Sequence, residues 1–329
     1  MLPWFSASAC PLFLAPMSGF SDIAFRRLCK ENGADVLVSE FVQSEPLIRE
    51  RERTWRDVDF TPSQRPMGIQ IFGSVPESMA RAAQLLEERL RPDFIDINFG
   101  CPARKVVDTN AGSGLLRDLP LMEKIARAVA KSVSATPVTA KMRLGWDSET
   151  LVHVDAARRL EDAGMRAIAV HGRTKSQGYS GEADWEKIAE VVRAVSVPVV
   201  GNGDIRDAET ALRRRRESGV AGLMIGRGAL GNPWIFRDVK NAFASGIAEQ
   251  NPLEDSEVRE TLMRYAELLV ASRAGENSAT APGEVSIRWA LARLHPFTYK
   301  IAGGKKNRAA LSSCSTLSEL AALVFPARA

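Results

Sequence analysis

Cysteine is scarce in this 329-residue chain, and Cys10, Cys29, Cys101 and Cys314 stand far apart. No two have the short spacing of metal ligands, and nothing reads as a disulfide framework. Histidine is scarcer still: the chain has three, none with a partner His or Cys at zinc-site spacing. No apolar run approaches the ~18 residues needed to cross a bilayer. The N-terminus lacks the Lys or Arg that opens a signal peptide, and Pro3 and Pro11 interrupt its apolar residues. There is no Gly-x-Ser-x-Gly elbow of a triad hydrolase. No Gly-x-Gly-x-x-Gly turn follows the first apolar run, as it would in a dinucleotide-binding sheet. Charge is not extreme either; a net +4 permits a polyanionic partner without demanding one. These absences predict a cytoplasmic protein with no metal and no membrane span.

What is present is a regular alternation. Short apolar runs begin at Leu12, Val36, Met67, Phe94, Val138, Ala167, Val197 and Leu223. Each is about four or five residues long, and several are rich in β-branched side chains. Between them lie stretches with apolar residues at helical spacing: Glu77 to Arg89, Leu121 to Val133, Thr150 to Ala163, Trp185 to Val195 and Ala208 to Glu217. Continuous apolar strands joined by helices indicate a parallel sheet covered on both faces. Eight such units predict an α/β fold, a (β/α)8 TIM barrel. After about Ala244 the strand signal stops. Gln250-Asn251-Pro252 reads as a linker, Ser256 to Ala271 as a helix, Gly275 to Gly283 as a polar loop, and Ser286 to Leu294 and Leu317 to Val324 as further helices. The expected division is a catalytic barrel over 1–245 and a small all-helical domain over 246–329.

The chemistry collects where the runs end, which in a barrel is one rim. Ile97-Asn98-Phe99-Gly100-Cys101-Pro102 places a thiol on a loop that Gly100 lets turn and Pro102 stiffens. Asn202-Gly203-Asp204 and Gly226-Arg227-Gly228 follow the seventh and eighth runs, where barrels commonly hold a phosphate. Lys141 and Arg143 lie two apart and so share a face if the fifth strand continues. Such a lysine can form a Schiff base, stabilise a reduced flavin, or simply pair with a barrel carboxylate such as Asp96. His171 closes the sixth run. From residues alone, a flavin barrel, a flavin-free aldolase using Lys141 as a Schiff base and an RNA-binding protein without catalysis all stay open. The Arg213-Arg214-Arg215-Arg216 run lies in a helix, points in all directions, and reads mostly as solvated surface.

Taken together, these residues resemble the tRNA-dihydrouridine synthase family, most closely its bacterial B-type group. The matching motifs are Ala15-Pro16-Met17-Ser18-Gly19-Phe20-Ser21-Asp22, Gln70-Ile71-Phe72-Gly73, Asp96 to Pro102, Ala111-Gly112-Ser113, Lys141 to Trp146, His171-Gly172-Arg173-Thr174, Asn202 to Ile205 and Met224 to Ala229. The resemblance implies FMN at the barrel mouth and NADPH-driven reduction of the C5–C6 bond of a uridine in the tRNA D-loop. By position, it implies that Pro16, Met17 and Ser18 line the flavin, that Gln70 and Lys141 bond its pyrimidine side, and that His171 touches it. Asn202, Gly203, Asp204, Gly226 and Arg227 would hold its phosphate and ribityl chain. Cys101 would be the proton donor and metal would play no part. Contacts to the uridine and tRNA are expected from Asn98, Arg104, Lys105, Arg143 and Arg173, and in the tail from Arg288, Arg293 and Lys300, with Lys175, Lys305, Lys306 and Arg308 as further phosphate grips. A flavin barrel that reduces a free pyrimidine is the alternative.

Overall fold

A computed structural model describes residues 2–5, 10–248, 252–274, 286–301 and 304–325. Eight parallel strands close on themselves: β1 (Leu12–Leu14), β2 (Val36–Val38, resumed at Val42–Gln43), β3 (Met67–Phe72), β4 (Phe94–Phe99), β5 (Val138–Arg143), β6 (Ile168–His171), β7 (Val199–Asn202) and β8 (Gly222–Ile225). Leu14 stands opposite Ile225 on one side of β1 and opposite Leu37 on the other, which seals the ring. The expected TIM barrel is the fold.

Successive side chains point to opposite faces of a strand. Leu12, Leu14, Ile69, Ile71, Ile95 and Ile97 face outward and join the helices in one apolar layer. Phe13, Val36, Val38, Phe94, Ala169, Val200 and Met224 form a separate cluster inside the ring. Both faces are buried, so the runs are apolar throughout rather than alternating. Gly68 is where the inner layer needs room: a Cβ there would lie 2.2 Å from the Phe94 ring. The N-terminal segment closes the bottom of the ring, with Trp4 5.3 Å from Phe94 and Phe5 5.9 Å from Phe13.

Further up the strands the inward positions change from apolar to polar. On β4 the sequence Phe94, Asp96, Asn98 points inward, and on β5 it is Thr139, Lys141, Arg143. On β6 Ala169 gives way to His171, and on β7 Val200 gives way to Asn202. The barrel is thus a filled apolar core below and a polar cup above.

The outer helices are α1 (Ile23–Glu31), α2 (Pro76–Arg89), α3 (Leu119–Ser132), α4 (His153–Asp162), α5 (Trp185–Ala194), α6 (Ala208–Ser218) and α7 (Ile235–Ser245). Only short helices, Ser44–Ile48 and Glu52–Asp57, follow β2. Asp22, Asp118, Asp184 and Asp207 each accept a first-turn amide and so cap α1, α3, α5 and α6. Each cap contributes about 1 kcal/mol. α4 begins at His153 rather than near Thr150, because Asp147 draws the amides of Glu149 and Thr150 into its own turn.

Beyond α7 the chain is helical. α8 (Asp255–Ala274) packs on α1, where the Tyr265 and Phe25 rings lie 5.6 Å apart, and Phe297 meets Trp234 at 6.1 Å. Barrel and tail therefore share one continuous apolar layer. The helix expected over Ser286 to Leu294 is broken. A 3-10 turn, Arg288–Ala290, leads into the short helix Leu291–Leu294, and Pro296 opens another 3-10 turn, His295–Lys300. A helix at Gly304–Ser313 is additional, and Leu317–Val324 is helical as expected. The linker residues Gln250 and Asn251 and the loop 275–283 lie outside the described residues. Among the described residues no helix is long and apolar enough to cross a membrane, and no cluster of metal ligands occurs.

Candidate active site

The polar cup opens as a cavity of about 840 Å³ at the carboxyl ends of the strands. It gathers Pro16, Met17, Ser18, Gln70, Asn98, Cys101, Lys141, Arg143, His171, Asn202, Gly203, Asp204, Gly226 and Arg227, residues drawn from the strand ends and the loops beyond them. Its size and mixed lining are those of a small-molecule or cofactor site.

The Cys101 loop is held from two sides. Asn98 Oδ1 accepts the amides of Gly100 at 3.0 Å and Cys101 at 2.8 Å. The Cys101 carbonyl accepts from both the amide and the hydroxyl of Ser113, at 3.1 and 2.9 Å. Gly112, at φ +57°, allows that approach, since a Cβ would fall 2.9 Å from the Cys101 oxygen. This explains why an Ala-Gly-Ser turn accompanies the cysteine. Burial pushes the Cys101 thiol above its ordinary range, and the Ala103 amide, Arg143, Lys141 and Lys105 only partly oppose that. At neutral pH the group is a thiol with a proton to give.

Lys141 reaches into the cavity with no hydrogen-bond or ion-pair partner among the described residues. Burial and the Arg143 charge push its ammonium down to about 8, against the pull of Asp96 and Cys101. The salt bridge to Asp96 is not made; Asp96 instead accepts from Gln70 and Thr139, each at 2.6 Å. Burial and the charges of Lys141, Arg143, Arg173 and Arg227 hold His171 well below its usual value, so it is a neutral imidazole.

At the far end of the cavity, Gly203 (φ +135°) and Asp204 (φ +51°) form a turn that only this backbone permits. The Asp204 carboxylate lines the cavity and is engaged by the protein itself. One oxygen accepts from Arg173 at 2.7 Å and from the Ala183 amide at 2.8 Å, and the other from Arg227 at 3.2 Å. Burial raises its pKa, but the Arg173 bond, the Ala183 amide and the neighbouring cations hold the carboxyl below the usual range. Asp204 thereby fixes Arg173 and Arg227 beside the cavity. Arg227 stays about half exposed and opens the short 3-10 turn Arg227–Ala229, in the place where barrels bind phosphate.

With this geometry in place, the comparisons decide the family. A profile described as "Dihydrouridine synthase (Dus)" matches residues 13–319. The chain belongs to the dihydrouridine synthase family. It is 44% identical over 235 residues to tRNA-dihydrouridine synthase B of Pseudomonas aeruginosa, covering 71% of this chain and 70% of that protein. It is 41% identical over 260 residues to the protein of the same name from Xanthomonas campestris pv. campestris, covering 79% and 77%. The resemblance to the bacterial B-type group is thereby upheld. A solved structure of histamine dehydrogenase from Rhizobium sp. 4-9 shares the barrel, with TM-score 0.51, 13% identity, and 78% and 48% of the two chains covered; this speaks to fold alone.

In this dihydrouridine synthase chain, several cations expected to meet RNA are placed otherwise. Arg173 is fully buried, and its guanidinium is engaged by Ser180, Gly181 and Asp204. It braces the wall and is closed to phosphates, which corrects its assignment. Arg143 lines the cavity but donates to the carbonyls of Gly100, Thr174 and Gly178. Arg293 pairs with Asp22 at 3.0 Å, and Arg288 donates to Ser315. Arg104, Lys105 and Lys300 are exposed and lie outside the cavity. Tyr179, Phe41 and Arg206 also line the cavity, and sequence patterning does not single them out. Tyr179 lies over Arg227 at 4.4 Å and is 58% exposed; its only sequence cue is an aromatic inside the glycine-rich Gly178–Gly181 turn.

Proposed function

We propose that this protein is an FMN-dependent, NADPH-driven tRNA-dihydrouridine synthase that reduces a D-loop uridine. The observation that carries the reading is Cys101: a protonated thiol on a doubly anchored loop, lining the same cavity as Lys141, Gln70 and Asn98. The barrel (1–245) is the catalytic part and the helical tail (246–329) the tRNA-facing part.

The residues present fit a flavin mononucleotide. Lys141 offers a donor without a partner to the pyrimidine side, and Gln70 and Asn98, whose NH2 groups each already make one bond, line the same cavity. A Cβ at Gly228 would lie 2.2 Å from the Ile205 carbonyl, so glycine there lets the loops after β7 and β8 pack together at the phosphate end. Arg227 supplies the countercharge there, while Pro16, Met17 and Ser18 form the wall from β1. When bound, reduced FMN supplies a hydride for C6 of the uracil.

The chain's own residues do the rest. Cys101 delivers its proton to C5, so the C5–C6 double bond gains one hydride and one proton. General acid catalysis of this kind is worth about 10²–10⁴-fold. Lys141 stabilises negative charge on the pyrimidine side, and neutral His171 bonds without adding charge. Because the uridine must leave its stack, at a cost of a few kcal/mol, the tRNA has to be gripped elsewhere. Arg104 and Lys105 beside the Cys101 loop, and Lys300 in the tail, are exposed and suited to phosphates.

The deciding experiment is single-turnover reduction of unmodified tRNA by Cys101→Ala, read as dihydrouridine by mass spectrometry. The variant should keep its yellow cofactor and lose most turnover; near-normal reduction would remove the assignment. NADPH oxidation with tRNA, but not with free uracil or orotate, is expected of the same preparation.

A further inference from the structure

Below the cavity floor runs a buried chain of hydrogen bonds whose two ends agree on its direction. At the top, Asn98 faces the backbone amides of Gly100 and Cys101. Those groups can only donate, so Asn98 must present its oxygen to them. Its NH2 then points the other way and donates to Gln70 Oε1 at 2.8 Å. Gln70 therefore turns its own NH2 to Asp96, which accepts at 2.6 Å. Asp96 is 4% exposed and its other oxygen accepts from Thr139.

We propose that Asp96 is a positioning residue that fixes the polarity of the Gln70–Asn98 amide pair. An amide can be turned end for end at little steric cost, and the carboxylate forbids the turn. Two consequences follow. The floor of the cavity offers only N–H donors, the spare protons of Gln70 and Asn98, and so takes a ligand edge bearing carbonyl oxygens. The Cys101 loop is locked by the same alignment. The first consequence rests on the functional reading above for the identity of the ligand; the second stands on the chain alone.

The test replaces the acceptor-only end. In Asp96→Asn that end can donate as well as accept: with its NH2 toward the Thr139 hydroxyl the parent order survives, and with its NH2 toward Gln70 that amide turns and meets Asn98 NH2 to NH2, so the hold on Gly100 and Cys101 loosens. The rate of Cys101 alkylation by iodoacetamide, followed on the purified protein by peptide mass spectrometry, should rise about fivefold, the effect of one lost hydrogen bond. Asp96→Asn/Gln70→Glu moves the carboxylate one place along with total charge unchanged. The carboxylate introduced at position 70 accepts from both neighbours, Asn98 keeps its orientation, and alkylation should return to within about twofold of the parent. FMN affinity, measured by fluorescence quenching, should stay weakened in that double variant, because an acceptor then faces the ligand's oxygens. Thr139→Val, which leaves the Gln70 end intact, should change alkylation little.

An unchanged alkylation rate in both Asp96→Asn and Asp96→Asn/Thr139→Val, where no hydroxyl is left to take the new NH2, would overturn the proposal. So would failure of Asp96→Asn/Gln70→Glu to restore it, or an equal rise in Thr139→Val, since either would mean loosened packing rather than polarity. Should Asp96→Asn fail to fold, Asp96→Asn/Gln70→Glu decides: a folded double variant with parent-like alkylation supports the polarity, and one that also fails to fold overturns it. None of these rates depends on whether tRNA is the substrate, so the relay and the functional reading fail separately.

Discussion

Arg143 Nε donates to the carbonyl of Gly100 at 3.0 Å, so the end of β5 holds the loop that carries Cys101. The same guanidinium donates to Thr174 at 2.6 Å and Gly178 at 2.8 Å, in the loop after β6. One side chain thus ties together the two rim loops that flank β5. Arg143→Met removes all three bonds and should cost about 2–4 kcal/mol in urea unfolding. Arg143→Lys should recover little, because an ammonium cannot span both loops as a planar fork does. A variant as stable as the parent would show that the strut is dispensable.

His171 gives the pH dependence a definite sign. Its folded-state value is depressed, first by burial and then by Lys141, Arg143, Arg173 and Arg227. The unfolded chain titrates near 6.5, so below that pH the unfolded state binds a proton that the folded state refuses. The contribution to stability is present above about pH 6.5 and falls as pH is lowered, by up to about 1.4 kcal/mol per pH unit. His171→Asn should flatten the thermal-stability profile between about pH 6.5 and 5 relative to the parent. Parallel profiles would mean that the imidazole is charged in the fold.

How much of this could be read beforehand depended on whether a residue's chemistry is decided by itself or by its neighbours. The eight strands were legible because both their faces are buried and the runs are apolar. Their ends were not. A run-based reading stops at Ile97, yet β4 continues through Asn98 and Phe99, with Asn98 opposite Lys141 in the ladder. The rim residues look like loop chemistry but remain strand, pointing into the cup. Cys101, Lys141 and Arg227 could be placed at the strand ends because each closes or follows an apolar run, and the structure gathers all three in one cavity. The burial of Arg173 and the pairing of Arg293 with Asp22 were not legible, since sequence does not tell an exposed cation from one that braces the fold. Tyr179 was hidden in an exposed polar stretch with no periodicity.

Asp22 joins the loop that lines the cavity to the helical tail. Its carboxylate caps α1 through the Phe25 amide at 2.9 Å, accepts from the Tyr265 hydroxyl at 3.2 Å, and faces Arg293 at 3.0 Å in an ion pair that lacks hydrogen-bond geometry. Tyr265→Phe should cost about 0.5–1.5 kcal/mol, one ordinary hydrogen bond. Asp22→Asn keeps the cap but leaves Arg293 partly buried without its countercharge, and should cost more, about 3 kcal/mol. Arg293→Met should accordingly lower stability more than tRNA affinity. The opposite ordering, with affinity falling and unfolding unchanged, would return Arg293 to the RNA surface.

Salt dependence separates true phosphate grips from braces. Arg104 is 93% exposed, held among the described residues only by an i,i+4 pair with Asp108, and Lys105 beside it is exposed as well. Each phosphate that such a side chain neutralises adds about 0.7–0.9 to the slope of log affinity against log salt. The Arg104→Ala/Lys105→Ala variant should therefore bind tRNA more weakly at low salt, with a slope shallower by up to about 2 and a fold as stable as the parent. Arg173→Met should behave in the reverse way. Its removal leaves Asp204 without a buried partner and Ser180 and Gly181 without a donor, so stability drops while the salt slope of whatever remains folded is unchanged. A shallower slope in Arg173→Met, or none in the double variant, would reverse the assignment of brace and grip.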